Sequence, residues 1–336
     1  MAAQTKPRVY VIGTGGSISF VGRERTDFIN YSYDRKHFTI QELLDRVPEV
    51  NQIAEIRAEQ FLNLGSTDVL PSHWLGLAQR INEIFTEDPQ AAGVAITHGT
   101  ATLEETAYFL NLTVKSDRPV VVTGSMRPPT GIGTDADMNI IDCVRVAAAP
   151  QSRGRGVLTV LNNQIQAARD VTKTNSYRLE TFRSNDVGLL GYADSDEEVV
   201  FYRDTTRAHT LNTEFDVAEL AELPRVDIAL AYGGADGLVV EALANAGVSG
   251  IVAAGLGSGG SPPAMAAALK NAIGRGVKVV IATQAGSGRV MRTRRFTEDG
   301  YIVADNLSPR KARILLMLAL TKTADNEEIQ RMMMAY

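Results

Sequence analysis

The chain has 336 residues, of which 44% are hydrophobic and 22% are charged, and its formal net charge is −5. This composition is typical of a globular protein with more than one domain, and the acidic balance argues against a nucleic-acid partner. The first seven residues form no long apolar segment and no membrane span is visible, so we expect neither a signal peptide nor membrane association, and a cytoplasmic location.

The first predicted strand ends in a glycine-rich turn. Residues 9 to 12 are apolar and rich in β-branched side chains, and Gly13-Thr14-Gly15-Gly16-Ser17 follows them directly. Since open α/β sheets bind ligands beyond the carboxyl ends of their strands, Ser17 is a candidate reactive hydroxyl. A tight structural corner or a phosphate-binding loop is also compatible with these glycines, although GTGGS is not the GxGxxG pattern of dinucleotide enzymes.

The next elements predict a loop followed by α/β units. Residues 20 to 38 are polar and aromatic without a sustained period, which is typical of a lid or binding loop. Thr39 is a predicted helix N-cap, and a helix to Pro48, a strand at 53 to 64 and a helix at 70 to 85 follow. Strands at 93 to 96, 120 to 123 and 156 to 161 then alternate with helices at 103 to 110 and 138 to 148.

This alternation predicts a parallel sheet covered by helices on both faces. Because the carboxyl ends of parallel strands lie at one edge of a sheet, the hydroxyls of Ser17, Ser66 and Thr100 should converge there. Cys143 lies in the helix at 138 to 148 and has no cysteine partner, so we interpret it as a buried structural thiol.

A smaller second domain is predicted after an acidic, irregular stretch. Strands at 226 to 232, 250 to 254 and 277 to 283 alternate with helices at 238 to 246 and 264 to 274, and the last helix is expected at 309 to 320. The predicted organisation is α/β: a large doubly wound N-terminal catalytic domain (1–205), a connection (206–225) and a small C-terminal α/β domain (226–336).

A hydroxyl nucleophile needs a base and a group that stabilises an oxyanion. His98 could complete a serine–histidine–aspartate set, but no GxSxG elbow is present, and a backbone hydrogen bond at the strand end is the favoured interpretation. Lys173 is another candidate base if burial lowers its pKa, and a tyrosine of the lid could serve a second hydroxyl. The histidines at 37, 73, 98 and 209 lack metal-ligand spacing, so we expect no metal site.

Five motifs occur in the order that the bacterial L-asparaginase/glutaminase family uses. They are TGGSI at 14–18, NLGSTD at 63–68, ITHGTATLEET at 96–106, TGSMRP at 123–128 and RDVTKTN at 169–175, and the helix at 306–321 is also similar. This resemblance implies an amidohydrolase of two α/β domains that acts on a small-molecule substrate without a cofactor. It also implies a homotetramer, a dimer of dimers, in which the large domain of one subunit and the small domain of its neighbour share each active site.

The resemblance also assigns catalytic positions. Ser17 falls on the family's nucleophilic threonine and would form an acyl-enzyme, and Thr100 and Lys173 fall on the threonine and lysine that act from the opposite side. The lid tyrosine falls on Tyr31 or Tyr33: the Asn-Tyr pair favours the first, and counting back from Val47-Pro48 favours the second.

The implied substrate-binding positions include departures from the family pattern. Ala101 stands where the family has an aspartate and Thr67 where it has a glutamine, and both of those side chains hold the ammonium of the amino-acid substrate. Arginines stand near the position of a glutamate that the adjacent subunit donates, and Gly260 replaces an asparagine. The implied substrate-binding residues are Gly16, Gly65, Ser66, Thr67, Gly99, Ala101, Ser125, Met126 and Arg294.

These departures predict a substrate without the α-ammonium of asparagine, because an ammonium without partners would be stranded in the site. An arginine such as Arg294 would suit a carboxylate instead. In the alternative interpretation, Arg294 and Arg295 are solvated surface charges and Glu104 or Glu298 supplies the missing acid. An ordinary L-asparaginase with altered affinity and a non-catalytic small-molecule-binding relative are the other two hypotheses for function.

Overall fold

The computed structural model describes residues 6–336, so residues 1–5, which form most of the amino-terminal segment considered above, lie outside the described part. The chain divides between Asn212 and Thr213 into two compact units. This division falls inside the segment that the sequence predicts as a connection. Each unit is an α/β unit, and the predicted fold class is confirmed.

The first unit contains an eight-stranded sheet in the order β10-β9-β6-β5-β4-β3-β1-β2. Strands β1 to β5 run parallel to one another, as predicted, whereas the pairs β5–β6, β6–β9 and β9–β10 are antiparallel. The strands are β1 (Arg8–Gly15), β2 (Glu55–Leu64), β3 (Ala91–Thr97), β4 (Val120–Thr123), β5 (Val157–Leu161), β6 (Gln164–Ala167), β7 (Thr172–Lys173), β8 (Phe182–Arg183), β9 (Gly191–Ala193) and β10 (Val199–Phe201), with β7 and β8 forming a separate ribbon.

The sequence analysis predicts no strand of this sheet after β5, so the antiparallel strands β6, β9 and β10 are an addition to the predicted parallel sheet. Asn162 and Asn163 have φ values of 52° and 60° and join β5 to β6 in a two-residue hairpin. Asparagine tolerates this left-handed conformation, and two such residues in succession make the turn that reverses a strand.

Helices cover the first sheet. They are α1 (Ile40–Arg46), α2 (Val50–Ile53), α3 (Pro71–Glu87), α4 (Leu103–Thr113) and α5 (Ala136–Ala148). Thr39 caps α1 in a capping box with Glu42, which confirms the predicted N-cap. Residue 53, predicted to begin a strand, instead ends the short α2. Cys143 is buried and donates to the Val121 carbonyl oxygen at 3.3 Å, as a structural thiol would.

The second unit has a parallel sheet in the order β11-β12-β13-β14. Its elements are β11 (Val226–Leu230), α6 (Leu238–Asn245), β12 (Gly250–Gly255), α7 (Pro263–Gly274), β13 (Lys278–Thr283), α8 (Arg294–Glu298), β14 (Ile302–Val303), α9 (Pro309–Ala319) and α10 (Asn326–Ala335). Helix α9 was predicted to be the last, which is wrong, because α10 follows it. Asp325 caps α10, and Ile329, Met332 and Met333 are buried. Among the described residues, no helix is both long and apolar enough to cross a membrane.

Candidate active site

At the predicted strand-edge site, Gly16 lies very close to Gly99. Gly15 and Gly16 have φ values of 101° and 88°, which glycine adopts without strain. A Cβ atom on Gly16 would lie 2.0 Å from the Cα of Gly99, so a side chain cannot be accommodated there. Ser17 and Thr100 are the next residues along their respective chain segments, and the glycine approach brings both hydroxyl residues to the same edge of the sheet.

Ser66 lies against the same junction. Its Oγ accepts a hydrogen bond from the Ala101 amide at 3.3 Å, and its carbonyl oxygen accepts one from Thr102 Oγ1 at 2.7 Å. Gly65 precedes it as the extended residue before the 3-10 turn at Ser66–Asp68. Thr67 and Ala101 are exposed. The turns at 65–68 and 99–102 therefore form one continuous surface.

Tyr31, and not Tyr33, reaches Ser17. The hydroxyl oxygens of Ser17 and Tyr31 lie 3.0 Å apart, and the Tyr31 ring packs edge-on against Phe20. Tyr33 is 78% exposed, and the Arg23 guanidinium stacks on its ring. The geometry thus separates the two tyrosines that the sequence leaves open.

The lid, residues 20 to 38, is attached at both ends and along its length. Phe20 bridges to His37, and the Val21 amide donates to the Lys36 carbonyl oxygen at 2.9 Å. The Gly22 amide donates to Thr130 Oγ1 at 3.0 Å. These bonds hold an otherwise irregular segment over the glycine turn, which accounts for the position of Tyr31.

The second pair of predicted catalytic side chains is also in contact. Lys173 Nζ donates to Thr100 Oγ1 at 2.7 Å. Burial lowers the pKa of Lys173, and the negative charge of Glu104 raises it. Glu104 was considered as a substitute acid for a substrate ammonium, but its buried carboxylate instead accepts a hydrogen bond from the Lys173 amide at 3.1 Å. A lysine whose ammonium form is destabilised can exchange a proton with a hydroxyl.

His98 has a structural environment. Its ring is buried, with Nδ1 2.8 Å from the Gly99 carbonyl oxygen and Nε2 2.9 Å from Thr106 Oγ1. Desolvation lowers the pKa of His98 to about 4. Both ring nitrogens are within hydrogen-bonding distance of groups other than the Ser17 and Thr100 hydroxyls. This agrees with the interpretation of His98 as a residue that hydrogen-bonds to the backbone at the strand end.

Ser125 and Met126 lie in the loop after β4. Ser125 Oγ donates to the Arg127 carbonyl oxygen at 2.6 Å, and the Met126 amide donates to Asp135 Oδ2 at 2.8 Å. Burial raises the pKa of Asp135, and the backbone hydrogen bonds that it accepts oppose this effect. Asp135 therefore orders the loop through backbone bonds, a role that sequence reasoning missed.

The second unit contains the remaining predicted position. The Arg294 side chain is 90% exposed and its Nε lies 2.6 Å from Glu298 Oε1. Arg295 is similarly exposed, 3.8 Å from Asp299. Within this chain both arginines are surface charges in i,i+4 pairs, as in the alternative interpretation above. Across residues 6–336, no group of three or more histidine, cysteine, aspartate or glutamate side chains is arranged to hold a metal ion.

The first unit places two hydroxyl-bearing pairs, Ser17–Tyr31 and Thr100–Lys173, at one edge of its sheet, an arrangement that suits a hydrolase with a hydroxyl nucleophile. Comparison with known proteins identifies the family. Residues 8–207 match the family model described as "Asparaginase, N-terminal", and residues 225–333 match "Glutaminase/Asparaginase C-terminal domain". The chain belongs to the asparaginase/glutaminase family. It is accordingly a hydrolase that acts on carbon–nitrogen bonds of linear amides.

Individual relatives match over nearly their whole lengths. L-asparaginase 2 of Bacillus subtilis (strain 168) is 42% identical over 324 residues, which are 96% of this chain and 85% of the relative. A protein of Haemophilus influenzae named probable L-asparaginase periplasmic is 41% identical and covers 97% of this chain and 92% of its own. The solved probable cytoplasmic L-asparaginase from Campylobacter jejuni has a TM-score of 0.94 at 40% identity, covering 98% of this chain and all of that one.

Proposed function

We propose that this amidohydrolase releases ammonia from a small carboxamide through an ester on Ser17. The observation that carries the proposal is the 3.0 Å contact between the hydroxyl oxygens of Ser17 and Tyr31. A serine hydroxyl is a weak nucleophile until a neighbouring group accepts its proton, and Tyr31 is in hydrogen-bonding reach to do so.

The reaction then has two balanced halves. Ser17 Oγ attacks the amide carbon as its proton passes to the Tyr31 oxygen, and the phenolic proton of Tyr31 moves on to the substrate nitrogen. The carbon–nitrogen bond then breaks and the nitrogen leaves as ammonia, so Tyr31 ends as the same neutral hydroxyl. Water next attacks the Ser17 ester, which releases the carboxylic acid and restores the hydroxyl. Thr100 and Lys173 act from the other side, where a lysine with a lowered pKa can take a proton through the threonine hydroxyl.

We further infer that the preferred substrate lacks the α-ammonium of asparagine. The turns at 65–68 and 99–102 hold Thr67 and Ala101 at the two positions where the family binds that ammonium, and Asp68 is their one ionisable side chain. A hydrogen bond to a charged group contributes about 1.5–3 kcal/mol, so an ammonium that loses two such partners is bound less tightly. A deaminated amide avoids this cost.

The runner-up is an L-asparaginase with altered affinity. The B. subtilis relative, which is 42% identical, carries the name L-asparaginase 2, and this supports asparagine as the substrate. The two hypotheses differ only in the group on the substrate's α-carbon.

The matched substrates asparagine and succinamate, its analogue without the amino group, separate these hypotheses in an ammonia-release assay. We expect kcat/KM at least about tenfold higher for succinamate, since a lost interaction of 1.4 kcal/mol already gives that ratio. The double variant Ala101→Asp/Thr67→Gln should reverse the preference, whereas the uncharged control Ala101→Asn should not. Faster hydrolysis of asparagine by the wild type would establish the runner-up, and no hydrolysis of any amide would favour a binding protein.

For the assembly we propose a homotetramer with active sites shared between subunits, which sedimentation of the purified chain would test. A cytoplasmic location stays a prediction, because the names of the relatives point to both the cytoplasm and the periplasm.

A further inference from the structure

Glu104, on the first turn of α4, contacts the backbone of Lys173 in the proposed site. Glu104 is 1% exposed, and its Oε2 accepts a hydrogen bond from the Lys173 amide at 3.1 Å. The Lys173 amine meanwhile donates to Thr100 Oγ1 at 2.7 Å. Residues 100 and 104 therefore engage the same lysine, one at its amine and the other at its backbone.

Glu104 is also the charge that acts on this lysine. The negative charge of Glu104 raises the pKa of Lys173 and opposes the effect of burial. From β8, Phe182 pairs with Lys173, and the adjacent Arg183 bonds to Glu180. Earlier in the same loop, Arg169 bonds to Asp170. The turn that carries Thr100 contributes no charge of its own, because its next residue is Ala101.

We propose that Glu104 is the positioning residue of the Thr100–Lys173 pair: its buried carboxylate fixes the lysine backbone beside the threonine and supplies the counter-charge that governs how readily the amine releases a proton. This inference rests on the proposed function only in assuming that Thr100 and Lys173 take part in amide hydrolysis.

The direction of the effect follows from electrostatics. Removal of a negative charge beside an ammonium disfavours the ammonium, so the pKa of Lys173 falls when Glu104 is neutralised. If the neutral amine is the active form, the acid limb of the pH–rate profile moves to lower pH. If the ammonium is active, the alkaline limb moves in the same direction.

Glu104→Gln is the informative variant, because glutamine keeps a carbonyl oxygen for the Lys173 amide and removes the negative charge. We expect the limb of kcat/KM that Lys173 sets to move by about one pH unit to lower pH, measured on the best amide substrate. The matched control is Glu105→Gln, the same change at the next residue of α4, and its profile should stay at the wild-type position.

A second readout needs no turnover. The chain is labelled with ¹³C at the lysine ε-carbon, the Lys173 signal is assigned with Lys173→Arg, and its titration is compared in wild type, Glu104→Gln and Glu105→Gln. If no amide is hydrolysed, the proposed function fails, yet this titration still decides the role of Glu104. The inference is overturned if Lys173 titrates at the same pH in all three proteins.

Should Glu104→Gln not fold, Glu104→Asp replaces it. Aspartate keeps the charge but withdraws the oxygen from the Lys173 amide. We expect kcat to fall at least about fivefold with little displacement of the limb, as a loss of near-attack geometry would produce. Wild-type kcat and an unshifted profile in this variant would equally overturn the inference.

Discussion

The two halves of the proposed site are built in different ways. Ser17 and Tyr31 are neutral hydroxyls on a glycine turn and an irregular lid, and both are only partly buried. Thr100 and Lys173 lie beside the buried first turn of α4, and that half contains a charged amine and a carboxylate. Ser17 and Tyr31 thus form a loop-borne half, whereas Thr100 and Lys173 form a half that lies against a helix.

This difference separates two tasks of amide hydrolysis. In the loop-borne half, the position of the Tyr31 hydroxyl beside Ser17 depends on how the lid is docked. The half beside α4 is preorganised, so its proton can be supplied or taken without rearrangement. We therefore expect variants of the first half to change the rate alone, and variants of the second half to change its pH dependence as well.

Removal of the nucleophile should have the largest effect. Ser17→Ala should lower kcat for amide hydrolysis by at least about 10⁴-fold, because no other group replaces a lost nucleophile. Ammonia release measures this, and thermal unfolding should be little changed. Ser17→Thr is the matched control, and it should stay active because threonine keeps the hydroxyl and restricts χ1. Residual hydrolysis near the wild-type level in Ser17→Ala would exclude an ester on Ser17.

Removal of the Lys173 amine should lower kcat less than removal of the nucleophile does, and it should also change how the rate depends on pH. Lys173→Met keeps the length of the side chain and should lower kcat by about 10³-fold, within the usual range for a lost acid–base group. With a neutral amine as the active form, the wild-type rate rises with pH through the lowered pKa of Lys173, and the variant should lack this limb. A pH–rate profile from pH 5 to 10 tests this, and an unchanged acid limb would assign it to another group.

A side chain at Gly16 should push the turn that carries Ser17 away from the turn that carries Thr100. Gly16→Ala places a Cβ atom 2.0 Å from the Gly99 Cα at a φ of 88°. We expect a loss of unfolding free energy of about 3 kcal/mol, from overpacking and a left-handed alanine together. The control Gly154→Ala has a similar φ, 75°, with open space around it, and should lose only about 1 kcal/mol. Equal losses in urea titrations would mean that the close approach is unimportant.

Much of the fold can be predicted from periodicity, but not the reversal after β5. The parallel strands β1 to β5 are short apolar runs bounded by turn residues, and a buried strand has that pattern. The antiparallel strands β6 (QIQA) and β9 (GYA) are short and contain no apolar run, so the same pattern does not report them. The signal lay in Asn162-Asn163, a pair suited to a tight hairpin. Helix α10 also had a readable signal, in its Asp325 N-cap and its spaced apolar residues.

The site was predictable where it depends on strand ends and not where it depends on packing. Ser17, Ser66 and Thr100 converge because parallel strands place their carboxyl ends together. Glu104 and Asp135 act through the Lys173 and Met126 backbone amides, and no spacing in the sequence reports such a bond. The choice between Tyr31 and Tyr33 depends on how an irregular lid is docked, which local propensity does not determine.

The comparison of Tyr31 with Tyr33 should give the smallest change in kcat, and the two variants serve as controls for each other. Tyr31→Phe removes the hydroxyl that lies 3.0 Å from Ser17 Oγ and should lower kcat by about 10²-fold, as expected when a proton acceptor is lost. Tyr33→Phe makes the same change two residues away on a side chain that is 78% exposed, and should stay within about twofold of wild type, as surface substitutions do. Since Phe20 still packs on the ring, Tyr31→Phe should not loosen the lid, and KM should change less than kcat. A larger loss in Tyr33→Phe than in Tyr31→Phe would mean that the lid rearranges when substrate binds, and that the loop-borne half takes its working form only then.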